Sequence, residues 1–317
     1  MTEFAGMHGD PELIPQLPMA EMIEDAGTDV PRNLVWRRFR RHKIALAGAL
    51  VLLAMVLFAA LGPIVYRVDP NAIDQVHWSG YPLAPGVAGH PLGTDENGRD
   101  LLARLIAGSQ ISLTVAFAAV VISVAIGTVL GAVSGFYGGW IDFWIMRLTD
   151  VVLCIPLLPL LLVLTAIVSA TSNKASLSFV VIVVLIGVLS WPSIARLVRA
   201  SFLSLREREF AEAARAIGDD DARIIFRHLL PNAVAPIIVS ATLLVAGVIL
   251  LESTLSFLGF GIQPPQASWG NMLANAQSTI TIAPWVAIFP GVCILVVSLA
   301  INYLGDGLRD ALDPNQR

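Results

Sequence analysis

Arg208-Glu209-Phe210-Ala211-Glu212-Ala213-Ala214-Arg215-Ala216-Ile217-Gly218 is followed by Asp219-Asp220-Asp221 and then by a run ending in Leu229-Leu230-Pro231-Asn232. This order predicts helix, break, helix. Gly218 ends the first helix in a left-handed conformation that costs glycine little. The three aspartates sit where a second helix begins, favoured by the positive end of its dipole. Arg223, Arg227 and His228 lie toward its negative end, and Pro231 is expected to stop it. Ala213 and Ala214 leave a smooth surface that another protein can approach closely. A solvated charged linker would not place small residues, a glycine break and a proline stop in this sequence.

On both sides of this segment the chain is apolar. Of 317 residues, 56% are hydrophobic and only 14% charged, against roughly a quarter charged in an ordinary soluble domain. A soluble enzyme, a disordered chain and a disulfide scaffold are all poor fits to that balance. A bilayer core of about 30 Å needs about 20 apolar residues in helix. Six stretches qualify, near 44–66, 111–135, 143–168, 179–198, 233–258 and 285–304, so the expected fold class is an all-α membrane protein with six transmembrane helices. The first stretch is too long, and starts too far into the chain, for a signal peptide. The leading segment 1–33 carries Glu3, Asp10, Glu12, Glu21, Glu24, Asp25 and Asp29 and is expected to be a disordered acidic tail. Cys154 and Cys293 both fall in apolar runs and read as small buried residues.

Lys and Arg set the orientation. Arg37, Arg38, Arg40, Arg41 and Lys43 abut the first stretch, and Arg196 to Arg227 surround the segment quoted above. Six spans put both groups and both termini on one side. Only Arg67, Arg99, Arg104 and Lys174 of the 20 basic residues fall on the other, which predicts cytoplasmic termini.

Within the spans, Ala119, Ser123, Gly127, Gly131 and Gly135 recur every four residues and predict a close helix–helix contact. Pro156, Pro159, Pro192, Pro236 and Pro290 invite kinks. Arg147 and Asp150 stand three apart and predict a local ion pair. Glu252 is a carboxylate within apolar sequence. It is either a pathway or gating residue or a packing hydrogen-bond partner. The segment 94–108 predicts a short amphipathic helix outside the membrane, capped by Thr94 or Asp95.

The quoted segment resembles the signature loop of ABC importer permeases: Glu212-Ala213-Ala214, three residues, Gly218, then Leu230-Pro231 at full spacing, with His228 where the family usually has Ile. His90-Pro91-Leu92-Gly93-Thr94-Asp95, Gly135-Phe136-Tyr137-Gly138-Gly139-Trp140-Ile141-Asp142, and Ser268-Trp269-Gly270-Asn271-Met272 are similar to segments of the C-type permease of dipeptide and oligopeptide importers. So is the ending Leu304-Gly305-Asp306-Gly307-Leu308-Arg309-Asp310 with Leu312-Asp313-Pro314. The resemblance covers roughly residues 34 to 315. It implies the type I importer fold, divided into a basic flank and first helix (34–66), an extracytoplasmic segment (67–110), a permease core (111–305) and a cytoplasmic tail (306–317). The loop at 199–231 would then be a coupling helix docking in a separate ATPase, with Glu212, Ala213, Ala214, Gly218, Leu230 and Pro231 as coupling residues and Gly127, Gly131 and Gly135 as helix packing. The implied partners are a sister B-type permease, two ATPase subunits holding ATP and Mg, an extracytoplasmic substrate-binding protein, a peptide and the lipid of a bacterial inner membrane. Nickel or glutathione permeases resemble the same pattern.

The chain has no Gly-x-x-x-x-Gly-Lys-Ser/Thr loop, and its two lysines, Lys43 and Lys174, follow no glycine-rich turn. ATP hydrolysis is therefore expected in partner subunits, and no catalytic residue, metal or cofactor is expected here. His8, His42, His77, His90 and His228 all fall outside the predicted spans, which weighs against an intramembrane hydrolase. A secondary transporter would need ion-coupling residues on paired broken helices, and Glu252 alone is thin support for one. The basic residues are explained by topology, so nucleic acid is not an expected partner.

Overall fold

The structure, a computed structural model, describes residues 32–171 and 175–312. All but the last two residues of the acidic tail, Lys174, Asp313 and Pro314 lie outside the described residues. The chain is all-α. A basic helix α1 (Arg32–Arg41) leads into α2 (Lys43–Val65), and a long turn-rich segment precedes α3 (Leu101–Tyr137). Next come α4 (Gly139–Cys154), α5 (Leu157–Thr171), α6 (Ala175–Leu189), α7 (Trp191–Leu205) and α8 (Glu209–Ala216). A turn at Asp221–Arg223 runs through a π-helical stretch, Ile224–Leu229, into α9 (Leu230–Phe257); α10 (Trp269–Ala276) and α11 (Trp285–Leu312) complete the chain. The extended pairings among the described residues are two isolated bridges, Ile73 with Arg99 and Thr94 with Asp100.

Five helical stretches are long and apolar enough to cross a membrane: α2, α3, 179–205, 221–257 and α11. The expected third span is not one straight helix. It is α4 and α5, bent 82° at a break where Ile155 is extended and Pro156 cannot donate a backbone hydrogen bond. Whether this pair crosses is decided by parity. The start of α2 and the end of α11 pack together through Phe39, Ala45 and Ala311, with His42 Nε2 3.5 Å from Asp310 Oδ2. Both ends of the bundle therefore lie on one face, called here the terminal face. Return to that face needs an even number of crossings. Five long helices supply an odd number, so α4–α5 is the sixth.

α2 is apolar on every side, and Leu50, Leu53, Leu57, Leu61 and Ile64 stay exposed, as suits lipid contact. The main core lies among α3, α6, α9, α10 and α11, around Leu101, Ile186, Ile249, Leu255, Trp269 and Ile301. A second cluster gathers Phe136, Ile194, Val198, Phe202, Ala211, Ala214, Ile225 and Leu229 beneath α8 on the terminal face.

Candidate functional site

Glu209 and Glu212 occupy the first turn of α8 and Arg215 its last, matching the helix dipole. Gly218 follows with φ +87°. Its N–H donates to Arg215 O at 3.1 Å, and the Asp219 N–H donates to Ala214 O at 3.1 Å, which closes the helix end. An added Cβ at Gly218 would meet nothing within 4 Å, so glycine is required here by its dihedral and not by space. Asp219 then pins the turn: Arg223 Nη1 donates to its Oδ1 at 3.0 Å and His228 Nε2 lies 3.1 Å from its Oδ2. The Arg223 bond outweighs partial desolvation and, with His228, holds the Asp219 carboxyl below its usual range.

Two expectations for this segment need correction. Pro231 does not stop a helix. It sits in the first turn of α9, and the chain from Asp221 to Phe257 is one continuous helical run. The π-helical stretch before it lets the Leu230 N–H reach Ile225 O, which accommodates a residue with no N–H of its own. Ala214 is not part of a smooth outer surface either. Ala211 and Ala214 are buried against the second core cluster, one α-helical turn apart, while Glu212, Ala213 and Gly218 are exposed. The outer surface also carries Phe210, Ile217 and Phe226, the last two 80% and 67% exposed. These were not singled out from the sequence. The register was the available signal: with 211 and 214 inward, 210 and 217 must point away.

The segment is tied to the bundle at the end of α3. Arg206 Nη1 donates to the carbonyls of Gly135 and Phe136 at 3.1 and 3.2 Å, which are otherwise unpaired at a helix C-terminus. The Arg215 guanidinium lies 5.9 Å from the Phe136 ring centroid. Above this, α3 packs closely on α7. A Cβ on Gly131 would come 2.5 Å from Ala195 O, one on Gly127 2.7 Å from Ile194 Cβ, and one on Gly135 2.6 Å from Phe202 Cβ. Asp142 of α4 joins the same junction, with Arg199 Nε and Nη2 donating to its two oxygens at 2.5 and 2.6 Å and Ser134 Oγ to Oδ1 at 2.5 Å.

Arg147 and Asp150 do not form the expected ion pair. Asp150 Oδ1 accepts from Arg196 Nη2 at 2.5 Å, because α7 brings that guanidinium alongside, and Arg147 instead lies over the Phe143 ring, 5.6 Å from its centroid. Glu252 is fully buried. Ser112 Oγ donates to its Oε2 at 3.1 Å and Ser256 Oγ to its Oε1 at 2.7 Å. The same hydroxyls accept from the Trp269 and Ile262 N–H groups at 3.3 and 3.1 Å. Glu252 thus knits α3, α9 and the start of α10 together, and no face of it opens to a path within this chain. Of the two readings of this residue, packing fits the geometry.

On the opposite face, the helix expected over 94–108 begins later, at Leu101, and is the start of α3 itself. Thr94 and Asp95 are not its caps: Thr94 Oγ1 accepts from the Leu83 N–H at 2.8 Å, and Asp95 Oδ2 holds Arg99 Nε at 2.8 Å and Arg104 Nε at 3.1 Å. The cap is Asp100, whose Oδ1 accepts from the Ala103 N–H at 2.7 Å. Its Oδ2 meets Tyr66 Oη at 2.8 Å and His90 Nδ1 at 2.7 Å, and His90 Nε2 reaches Asp74 Oδ2 at 3.1 Å. Burial pulls the His90 imidazole down, but the bonds to Asp100 and Asp74 outweigh it and the net shift is upward. This clasp was not legible in the sequence, because its members are spread from 66 to 100.

The terminal-face segment is thus an exposed projection stitched to α3 at one end of a bundle of membrane-spanning helices. Residues 127–317 match the family described as the inner membrane component of binding-protein-dependent transport systems, and residues 31–85 match the N-terminal TM domain of oligopeptide transport permease C. The chain belongs to this permease family. The oligopeptide transport system permease protein OppC of Escherichia coli (strain K12) is 41% identical over 282 residues, 89% of this chain and 90% of its own length. The dipeptide transport system permease protein DppC of Alkalihalophilus pseudofirmus is 38% identical over 311 residues, 98% of each chain. The permease is a multi-pass membrane subunit of an ABC importer and is not itself catalytic. Its membership implies the typical partners of an importer permease: a paired permease, ATPases and a substrate-binding protein.

Proposed function

We propose that this permease forms half of the path by which a bacterial ATP-driven importer takes up di- and oligopeptides. Its terminal face is cytoplasmic, in accord with the basic residues around α1 and α8. α8 and Gly218 form the coupling helix that seats in an ATPase subunit; a sister B-type permease supplies the other half of the path, and an extracytoplasmic binding protein delivers the cargo. The observation that carries this reading is the exposed knuckle of Glu212, Ala213, Ile217 and Gly218, whose inner side is bolted to α3 and α7 through Ala211, Ala214 and Arg206. Closure of the two ATPases on ATP moves the knuckle, the helices behind it tilt, and the path opens to the loaded binding protein; hydrolysis resets it. ATP does this only by favouring one of the two shapes. Uptake of labelled di- to oligopeptides by the complete complex in liposomes tests it, with nickel and glutathione as competing cargoes. ATP-dependent peptide uptake is expected. Uptake of nickel or glutathione alone would overturn the assignment of cargo, and transport by the purified chain without ATPases would overturn the coupling role.

A further inference from the structure

Between α4 and α7 runs an open cleft of about 510 Å³ with five charged side chains in its lining. Asp142, Arg147, Asp150, Arg196 and Arg199 all face it. Charged side chains on spanning helices are costly against acyl chains and belong with water or protein. Two ion pairs brace the walls of this cleft across the two helices: Asp142 with Arg199, and Asp150 with Arg196. They consume both aspartates. Arg147 stands between them in sequence on α4, is exposed, and meets no carboxylate within ion-pair distance among the described residues. Its guanidinium rests instead on the Phe143 ring. A cation–π contact of this kind uses the face of the ring and consumes none of the guanidinium N–H donors, which leaves them available to a carboxylate.

Every unmodified peptide, whatever its side chains, ends in a carboxylate. We propose that this cleft is a section of the cargo path and that Arg147 is a transient subsite for the peptide's terminal carboxylate. The proposal rests on the peptide reading given above. A single exposed contact is weak, and weakness is what a path requires, since a cargo held tightly would not leave. With both aspartates paired, the lining keeps one uncompensated positive charge, at Arg147, which matches the single charge of a carboxylate; the phosphate of an anionic lipid is the other ligand that an arginine at this position could take.

The test uses the complete importer in liposomes of fixed composition, with a labelled tripeptide and its C-terminally amidated analogue. For each cargo the uptake of a variant is divided by that of the unsubstituted complex, so selectivity of the binding protein cancels. Arg147→Gln should lower uptake of the free acid about tenfold, the loss of one charge-assisted contact, and leave the ratio for the amide near one. Arg147→Lys should restore most of the loss. Equal loss for both cargoes, or none for either, overturns the proposal. If the unsubstituted complex imports neither peptide, it is the peptide reading that fails. A second readout needs no amide transport. In a Cys154→Ser, Cys293→Ser background, an Arg147→Cys variant should react with a charged, membrane-impermeant thiol reagent, and free tripeptide should slow that reaction more than its amide does. A thiol that the reagent does not touch lies against lipid or a partner, and overturns the proposal equally.

Discussion

At Gly218 a single hydrogen atom in place of a side chain sets the geometry of the knuckle. The φ of +87° and the empty space around the α-carbon separate two causes usually found together. The Cβ of a Gly218→Val substitution meets no neighbour, yet the change forces a β-branched residue into the left-handed region at a cost of about 1–3 kcal/mol. The local turn should re-form in another shape while the bundle, whose core does not involve this position, stays folded. The expected outcome is normal membrane insertion and ATP hydrolysis no longer matched by uptake, measured as the ratio of cargo moved to phosphate released. Retained wild-type coupling would remove the knuckle from the mechanism. Gly218 was legible because a helix-ending glycine carries its reason in its own chemistry. Glu252 was not: its isolation in apolar sequence was visible, but Ser112 lies 140 residues away and only the fold brings its hydroxyl to the carboxylate.

Among the elements, the contact of α3 with α7 and the clasp at the start of α3 each yield a measurable expectation. At Gly131 the atom that an added Cβ would strike is the Ala195 carbonyl, part of a helix backbone that cannot rotate away. Gly131→Ala should therefore destabilise the purified protein by about 1–3 kcal/mol, read as a fall in its thermal midpoint. A neutral result would mean that α7 yields more readily than two packed helices should. At the other end of α3, His90 is flanked by Asp74 and Asp100, with His77 and Tyr66 also touching those carboxylates. Both His90 nitrogens face carboxylates, so both must donate, and the clasp needs the imidazolium. Its pKa is raised above the ordinary 6.5, so its contribution is complete below that value and is lost as pH rises through the folded pKa. Asp74 is shifted the other way, chiefly by His77 and then His90, so its share is present above the ordinary 3.8 and lost on acidification through the lowered value. Protection of the 74–100 backbone amides from hydrogen exchange should thus be greater at pH 5.5 than at pH 8.5, and His90→Gln should abolish the difference. The periodicity of 94–108 marked helix only for its second half, 101–108, which is the first part of α3 and not a separate short helix. It could not show that Asp95 would be drawn off by Arg99 and Arg104, leaving Asp100 to cap.

For the whole molecule, counting apolar runs gave six crossings, and six stand. What the runs could not reveal is that one crossing is broken by 82° at Pro156, because hydropathy is blind to direction and the prolines of the other crossings, Pro63, Pro192, Pro236 and Pro290, sit within continuous helices. Parity joins the two. With the start of α2 clamped to the end of α11, thiols introduced by Ile217→Cys and Arg309→Cys should be labelled from one side of the membrane, and one introduced by His77→Cys from the other. Labelling of all three from a single side would mean that α4–α5 dips in and returns, and would cost the bundle its sixth crossing.

α3 is also the one crossing of the six with no proline, and its 37 residues make an unbroken cylinder of about 55 Å. One tip is stitched to the knuckle by Arg206, and the other is crowned by the His90 clasp. Such a body behaves as a pushrod. A displacement applied at the terminal face would reach the opposite face along one unbroken axis, and the proline-bearing neighbours would supply the bending around it.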